Sequence, residues 1–296
     1  MKKNLLFIAQ LLRMKQWVKN AFILFPLIFS GHLKEPAYLI DVLITFIGFC
    51  FTASSIYVLN DYLDREKDRL HPKKANRPFV QKNFSAQSVG SMIFGLLTAG
   101  LGACLLVNPM VALIAVTYIV IQLAYNLALK NVVILDVVFV ALGFQIRIWA
   151  GAFAAGVLPS VWLQLCVFLL ALFLGFNKRR HELESLQHEA NSHRKVLEHY
   201  TTYLLDQIIL ICSTLAIVFY GLYTISSDIV SRLGNHNMAY SILFVIYGMF
   251  RYLYLVHVKK IGDDPGEVLL QDKSLFVGVG LWVVFVTAVL YGWGKF

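Results

Sequence analysis

Uncharged apolar runs of about 20 residues, the length an α-helix needs to cross a bilayer, recur along the whole of this 296-residue chain. Backbone in lipid must satisfy its own hydrogen bonds, so such runs dictate helices. Only 15% of the residues are charged, against roughly 25% in soluble domains. Hydropathy and chain breakers together predict an all-α polytopic protein of about nine spans. They lie near 18–33, 37–59, 87–107, 109–129, 132–153, 160–176, 203–225, 238–258 and 274–294. Gly31 to Pro36, Asn108-Pro109, Leu158-Pro159-Ser160 and Gly234-Asn235 punctuate one set of short connections. No segment between spans is long enough for a separate soluble domain, so residues 1–296 are expected to form one membrane domain. Residues 1–17, basic and amphipathic, read as a surface helix feeding the first span. They lack the apolar core and cleavage site of a secretory signal.

Lys and Arg concentrate in cytoplasmic loops. With the N-terminus inside, only Lys34, Arg232 and Lys295 of the 26 basic residues fall outside, and Arg147 and Arg251 fall within spans. This predicts a multi-pass protein of the cell membrane with a cytoplasmic N-terminus. The net charge of +9 then needs no nucleic-acid partner. The long polar loops, 60–86, 177–202 and 259–273, all fall on the inner face, while the outer loops are short. That asymmetry points to a site opening to the cytosol. A transporter would thread polar residues through to the outer face, and the outer halves here are nearly uniformly apolar. The four cysteines are scattered singly through apolar segments, with neither metal-ligand nor disulfide spacing, and read as packing residues.

The first inner loop opens Asn60-Asp61-Tyr62-Leu63-Asp64-Arg65-Glu66-Lys67-Asp68. If the preceding helix continues through it, Asp61, Asp64 and Asp68 stand at i, i+3 and i+7 on one face. Carboxylates so close repel unless a cation sits among them. Mg²⁺ suits, because it takes oxygen ligands and is usually held by one or two carboxylates together with substrate phosphates. Asn60 can add an amide oxygen. A solvated helix end with local ion pairs, such as Asp61 with Arg65, is the plainer alternative.

His71-Pro72-Lys73-Lys74-Ala75-Asn76-Arg77-Pro78 follows, presenting Lys73, Lys74 and Arg77 beside the acidic face. Such a pairing suits phosphate oxygens bridged between a cation and an Arg fork; charge that merely obeys the inside bias is the alternative. Tyr125, Asn126 and Lys130 close the 109–129 span on the same side. Asn177-Lys178-Arg179-Arg180-His181-Glu182 adds a second basic cluster. Within the membrane, Asp136, Gln145, Arg147 and Arg251 are costly charges or polar groups that face a cavity or a partner. Gln145 and Arg147 either floor a polar cavity or form a buried structural pair with a carboxylate elsewhere. The carboxylates of 262–272 read equally as a structural turn or a lid.

Asn60-Asp61-x-x-Asp64-x-x-x-Asp68 resembles the first Asp-rich motif of the UbiA superfamily of intramembrane prenyltransferases, and the resemblance covers essentially the whole chain. It implies nine spans around a cytoplasm-facing cavity. The continuation Asp68-Arg69-x-His71-Pro72-x-Lys74-x-x-Arg77-Pro78 is most similar to the decaprenyl-phosphate phosphoribosyltransferase branch. So are Gln16-Trp17-x-Lys19-Asn20, Asn177-Lys178-Arg179-x-x-Glu182-Leu183 and Asp264-Pro265-x-Glu267-x-Leu269-Leu270-x-Asp272. Ordinary members carry a second Asp-rich motif where this chain has Lys178-Arg179-Arg180. Extra cations there suit a donor with an additional phosphate.

The resemblance implies a transferase that moves 5-phosphoribosyl from phosphoribosyl diphosphate to a polyprenyl phosphate, in cell-wall biogenesis. Asp61, Asp64 and Asp68 would hold Mg²⁺ on the leaving diphosphate. Lys19, Lys73, Lys74, Arg77, Lys130 and Lys178 would contact phosphates. Tyr125, Asn126, Gln145 and Arg147 would line the sugar or acceptor pocket, with Asn60 and Glu182 as further substrate contacts. The alternative is transfer of a prenyl group from its own diphosphate to an aromatic or other small acceptor. Lipid length and homo-oligomerisation stay open.

Overall fold

The computed structural model describes residues 2–69, 75–186, 195–262 and 265–292; the side chains of 2–5, 67, 185, 186 and 195 are not described. Every described element is helical. Eight helices are long and apolar enough to cross a membrane. They are α1 (Pro36–Leu63), α2 (Ala86–Val107), α3 (Pro109–Leu127), α4 (Leu135–Ala154), α5 (Val161–Leu186), α6 (Thr202–Thr224), α7 (Ile242–His257, which spans together with the 3₁₀ turn Asn237–Ser241 before it) and α8 (Lys273–Leu290). These match eight of the nine expected spans. α5 runs on past residue 176, so the basic 178–182 stretch is helical where a loop was expected.

The ninth expected span, 18–33, takes another form: a 3₁₀ stretch, Met14–Leu24, followed by the six-residue helix Phe25–Ser30. Pro26 lies in the first turn of that short helix, where its missing N–H is tolerated. Gly31, at φ 92°, ends it. The expected surface helix is Lys2–Leu11, shorter than 1–17. It stops before Arg13, whose backbone is left-handed (φ 50°, ψ 45°).

Local chemistry sets several of the boundaries. Ser85, Asn108, Thr201 and Asp272 accept hydrogen bonds from the backbone N–H groups of Ser88, Met110, Leu204 and Leu275, capping α2, α3, α6 and α8. Asn108 alone joins α2 to α3, with Pro109 next to it supplying the fixed φ of a first helical residue.

The chain divides into two compact units: residues 1–130 with 143–159, and 131–142 with 160–296. The division passes through α4, giving its first half to the second unit and its second half to the first.

In the first unit, α1 is the most enclosed span, 61% buried over its apolar window, whereas α2 and α3 are 17% buried. Apolar faces left open on α2 and α3, such as Phe94, Leu106 and Leu113, are lipid-facing surface. α1 and α2 approach closely because glycines meet there. A Cβ at Gly48 would stand 2.9 Å from both the Gly100 carbonyl oxygen and Cys104 Sγ. Gly151 on α4 admits the backbone carbonyl of Ile23, where any side chain would collide. Ile23, Leu27, Phe49, Tyr118 and Ala150 form the core between them.

The second unit has its own core, with Phe173, Leu205, Ile209, Met249 and Tyr252 at its centre.

Candidate active site

The Asp-rich stretch sits where α1 ends. α1 closes at Leu63, Asp64 adopts φ −87°, ψ 2°, and a short helix, Arg65–Arg69, follows. Helical hydrogen bonding runs through the junction, from Asp64 N–H to the Asn60 carbonyl and from Asp68 N–H to the Asp64 carbonyl, both 2.9 Å. The expected continuation of the helix is therefore nearly met. Asp61 and Asp68 are buried, at 3% and 4% exposure, and Asp64 is half-buried.

The two buried carboxylates converge on one cation. Arg77 Nη1 donates to Asp61 Oδ1 at 2.9 Å and to Asp68 Oδ2 at 2.6 Å. A second guanidinium grips Asp61 from another side: Arg13 Nε donates to Oδ2 at 2.8 Å, and Arg13 Nη2 bonds to Oδ1. Among the described residues, each buried carboxylate is thus paired with a guanidinium, which is how buried charge is tolerated.

Both arginines are held by the local chain. Arg77 precedes Pro78 and is extended (φ −67°, ψ 146°), as a residue before proline must be. Phe79, two residues on, packs with Leu11, Val58 and Val89, and rings of Tyr62, Phe79, Phe84 and Phe7 follow one another at 5.0 to 6.4 Å. Lys82 Nζ lies 4.2 Å from the centre of the Phe7 ring. The N-terminal helix is therefore strapped to the turn that carries Arg77. Ser54 on α1 donates to the Leu12 carbonyl at 2.8 Å and accepts from Trp17 Nε1 at 3.0 Å, fixing the backbone on both sides of Arg13.

Deeper in the same unit, Arg147 is buried at 4% exposure. It donates to Asn20 Oδ1 (2.7 Å), the Gly143 carbonyl (2.7 Å) and Tyr118 Oη (3.1 Å). The guanidinium carbon also sits 4.8 Å from the centre of the Tyr118 ring. Among the described residues no carboxylate bonds to it, so within them the alternative of a structural Arg–carboxylate pair does not form.

Lys19, half-buried, lies in the Met14–Leu24 stretch. Tyr125 and Asn126 end α3, and Lys130 lies in the Leu129–Asn131 turn; all three are half-buried. Gln145 is half-buried two positions before Arg147 on α4. Lys73 and Lys74 lie outside the described residues.

In the second unit the basic stretch of α5 is largely committed to internal partners. Arg179 Nε donates to Asp136 Oδ2 at 2.5 Å and Arg179 Nη1 to Glu182 Oε2 at 2.7 Å. Tyr200 donates to Asp136 Oδ1 at 2.7 Å and accepts from the Ile134 N–H at 2.6 Å. Burial, and then the carboxylate it donates to, push the Tyr200 hydroxyl well above the ordinary phenol range. Arg180 pairs with Asp206 and Glu184. Lys178 and Glu182 remain half-buried on the same helix.

The sequence reading missed Arg13, counted only as inside charge, and the Asn20 and Tyr118 partners of Arg147. Asn20 stood inside a quoted motif, but nothing in its spacing links it to residue 147.

Comparison with known proteins decides the affiliation. Residues 23–270 match the UbiA prenyltransferase family. The chain belongs to that family. Among its relatives, the decaprenyl-phosphate phosphoribosyltransferase of Corynebacterium glutamicum is 33% identical over 95% of this chain and 85% of the relative. The enzyme of the same name from Mycolicibacterium smegmatis is 32% identical over 94% and 91%. A UbiA homolog from Archaeoglobus fulgidus, solved bound to GPP and Mg²⁺, superposes with a TM-score of 0.72 at 16% identity, covering 96% of this chain and 99% of that one. At that identity the likeness shows the fold. This UbiA chain is accordingly an all-helical, multi-pass membrane transferase, as expected.

Among the described residues no three His, Cys, Asp or Glu side chains gather as a metal-ligand set. Asp61 and Asp68 nonetheless aim oxygens at one shared cation position, which Arg77 fills.

Proposed function

We propose that this protein transfers a 5-phosphoribosyl group from phosphoribosyl diphosphate to a polyprenyl phosphate, releasing diphosphate, at the cytoplasmic face of the cell membrane. The observation that carries the reading is the convergence of two buried carboxylates on one cation position, with two half-exposed guanidinium groups beside it. A diphosphate with its counter-cation needs this arrangement of hard oxygen ligands and flanking forks. The phosphoribosyl part of the reading rests on the names of the relatives that span nearly the whole chain.

Magnesium fits this donor set. Asp61 and Asp68, with Asp64 and Asn60 adjacent, supply oxygen ligands of the kind it prefers, and the substrate's phosphates would complete its shell. When bound, Mg²⁺ would offset the charge that builds on the leaving diphosphate.

The chain's own groups would do the rest. Arg77, presented by its extended backbone, would hold a diphosphate oxygen and stabilise negative charge as the C1–O bond breaks. The lipid phosphate oxygen attacks ribose C1 and is already anionic, so no general base is required. Arg147, a buried cation with neutral partners, favours an anion nearby; with Gln145, Tyr125 and Asn126 it would line the sugar or acceptor pocket. Lys19 and Lys130 would bind phosphate in the first unit, as would Lys73 and Lys74. Lys178 and Glu182 would be substrate contacts of the second unit.

The test is transfer of label from phosphoribosyl diphosphate into a lipid-extractable product by the purified chain in nanodiscs with polyprenyl phosphate and Mg²⁺. Label should appear in the organic phase and be lost with EDTA. A folded protein that moves none across several lipid lengths, yet releases diphosphate from a prenyl diphosphate, would overturn the reading in favour of prenyl transfer.

A further inference from the structure

Arg13 has three properties that a simple structural salt bridge does not require. First, its backbone occupies the left-handed region (φ 50°, ψ 45°), which costs a non-glycine residue and persists only where the surroundings over-determine it. The bonds from Ser54 to the Leu12 carbonyl and from Gln16 N–H to the Arg13 carbonyl (both 2.8 Å) supply that constraint. Second, its side chain keeps 23% exposure while the carboxylate it grips keeps 4%. The guanidinium lies 5.3 Å from the centre of the Tyr57 ring. Third, only Nε and Nη2 are spent on Asp61; among the described residues Nη1 donates to nothing. Asp61 also receives Arg77, so one carboxylate carries two cations.

Charge then decides what can happen here. Among the described residues, Asp61 already carries Arg13 and Arg77, and Asp68 carries Arg77. A divalent cation entering alone must displace a guanidinium from Asp61 and then lie beside it in a partly desolvated place. A divalent cation arriving with a diphosphate brings the anion that the arginines can turn to. We propose that Arg13 is a clasp: it occupies Asp61 while the site lacks substrate and passes to a diphosphate oxygen when a metal takes the carboxylate. Metal and diphosphate binding become mutually dependent, since each relieves a cost the other faces. Arg13 thereby becomes a binding residue of the transfer site, and its left-handed corner fixes the pivot from which the side chain swings. This rests on the metal–diphosphate part of the proposed function, and does not depend on which diphosphate ester is the donor.

The experiment measures Mn²⁺ binding by electron paramagnetic resonance to the full chain in nanodiscs, with and without inorganic pyrophosphate. Wild type, Arg13→Gln and Arg13→Lys are compared, each checked for its thermal midpoint. Coupling between sites typically amounts to 5- to 150-fold. On that scale, Arg13→Gln is expected to bind Mn²⁺ alone about tenfold more tightly than wild type. Pyrophosphate should then strengthen Mn²⁺ binding far less than it does in wild type. Arg13→Lys should fall between the two, retaining charge without the fork, and carries the test alone if Arg13→Gln does not fold.

If either folded variant binds Mn²⁺ alone no more tightly than wild type and keeps the full pyrophosphate effect, Arg13 merely positions Asp61 and the clasp is wrong. Pyrophosphate carries no ribose, so absent phosphoribosyl transfer in wild type would sink the donor assignment while leaving this result standing.

Discussion

Each unit contains an aspartate buried against an arginine, and the two arrangements differ in how they are closed. Asp136 is fully buried, its Arg179 partner is 5% exposed, and both of its oxygens are taken, one by Arg179 and one by Tyr200. Asp61 is nearly as buried, but its arginines, Arg13 and Arg77, keep 23% and 26% exposure. Arg77 is divided between two carboxylates. The two anions are thus buried alike and their cations are not. In the proposed site Arg13 and Arg77 would turn from carboxylate to phosphate while still meeting solvent, whereas Arg179 would leave a buried charge behind.

The largest effect that would test this contrast is Asp136→Ala. Breaking a buried pair by removing one partner typically costs about 3–5 kcal/mol, so this variant should lose most of its folded fraction in detergent, read by thermal unfolding. A midpoint equal to wild type would show that the second unit does not depend on the Asp136 network. Asp61→Asn should behave in the opposite way. Its midpoint should move less than that of Asp136→Ala, while transfer falls about 100- to 1,000-fold, the scale on which a preorganised electrostatic group contributes. Full activity in a folded Asp61→Asn protein would remove the Asp-rich stretch from the mechanism.

Much of this was legible in the sequence because the bilayer leaves few choices. Seven spans could be read within a few residues, since apolar length and breakers such as Asn108-Pro109 act locally, whereas the helix expected to end at 176 runs on to Leu186 through its basic stretch. The 18–33 segment is apolar enough for a span, but it forms a 3₁₀ stretch and a short helix that has Pro26 in its first turn and ends at Gly31, rather than one α-helix. At the site, helical periodicity placed Asp61, Asp64 and Asp68 on one face; Asp61 and Asp68 meet at Arg77, but among the described residues the three do not gather as one ligand set. Arg13 was not readable: it lies 48 positions from Asp61, and only the packing of Phe7, Leu11, Phe79 and Phe84 brings it there. Likewise Arg147 announced itself as a costly charge, but its neutral partners Asn20 and Tyr118 sit 127 and 29 positions away.

Tyr200→Phe sharpens the comparison at intermediate size. It removes the donor to Asp136 and the acceptor for the Ile134 N–H, leaving buried polar groups unsatisfied at about 1–3 kcal/mol. Thermal unfolding should show a loss smaller than that of Asp136→Ala, with the two together less than additive because they share one network. The raised Tyr200 hydroxyl sets the sign of a pH effect. Its contribution is complete below pH 10, the ordinary phenol value. It fades as pH rises above that, because the unfolded chain ionises the phenol more readily than the folded one. Wild type should therefore lose more stability than Tyr200→Phe in that alkaline range.

The smallest expected effect lies at Asp272, in a half-buried ion pair at the start of α8. Arg251 Nε and Nη2 donate to its two oxygens at 3.1 and 2.7 Å, and the Leu275 N–H donates to Oδ1 at 2.7 Å. The Arg251 hydrogen bonds are the main reason the Asp272 carboxyl sits below the usual carboxylate value of 3.8. A lowered folded value means that the stabilisation is present above pH 3.8 and disappears as pH falls through the folded value, where the carboxyl takes up its proton. Asp272→Asn keeps an oxygen for the α8 cap and loses only the charge, so at neutral pH its midpoint should drop slightly below wild type. Acidification should bring the two midpoints together. If the gap instead widens in acid, Asp272 acts through something other than its charge.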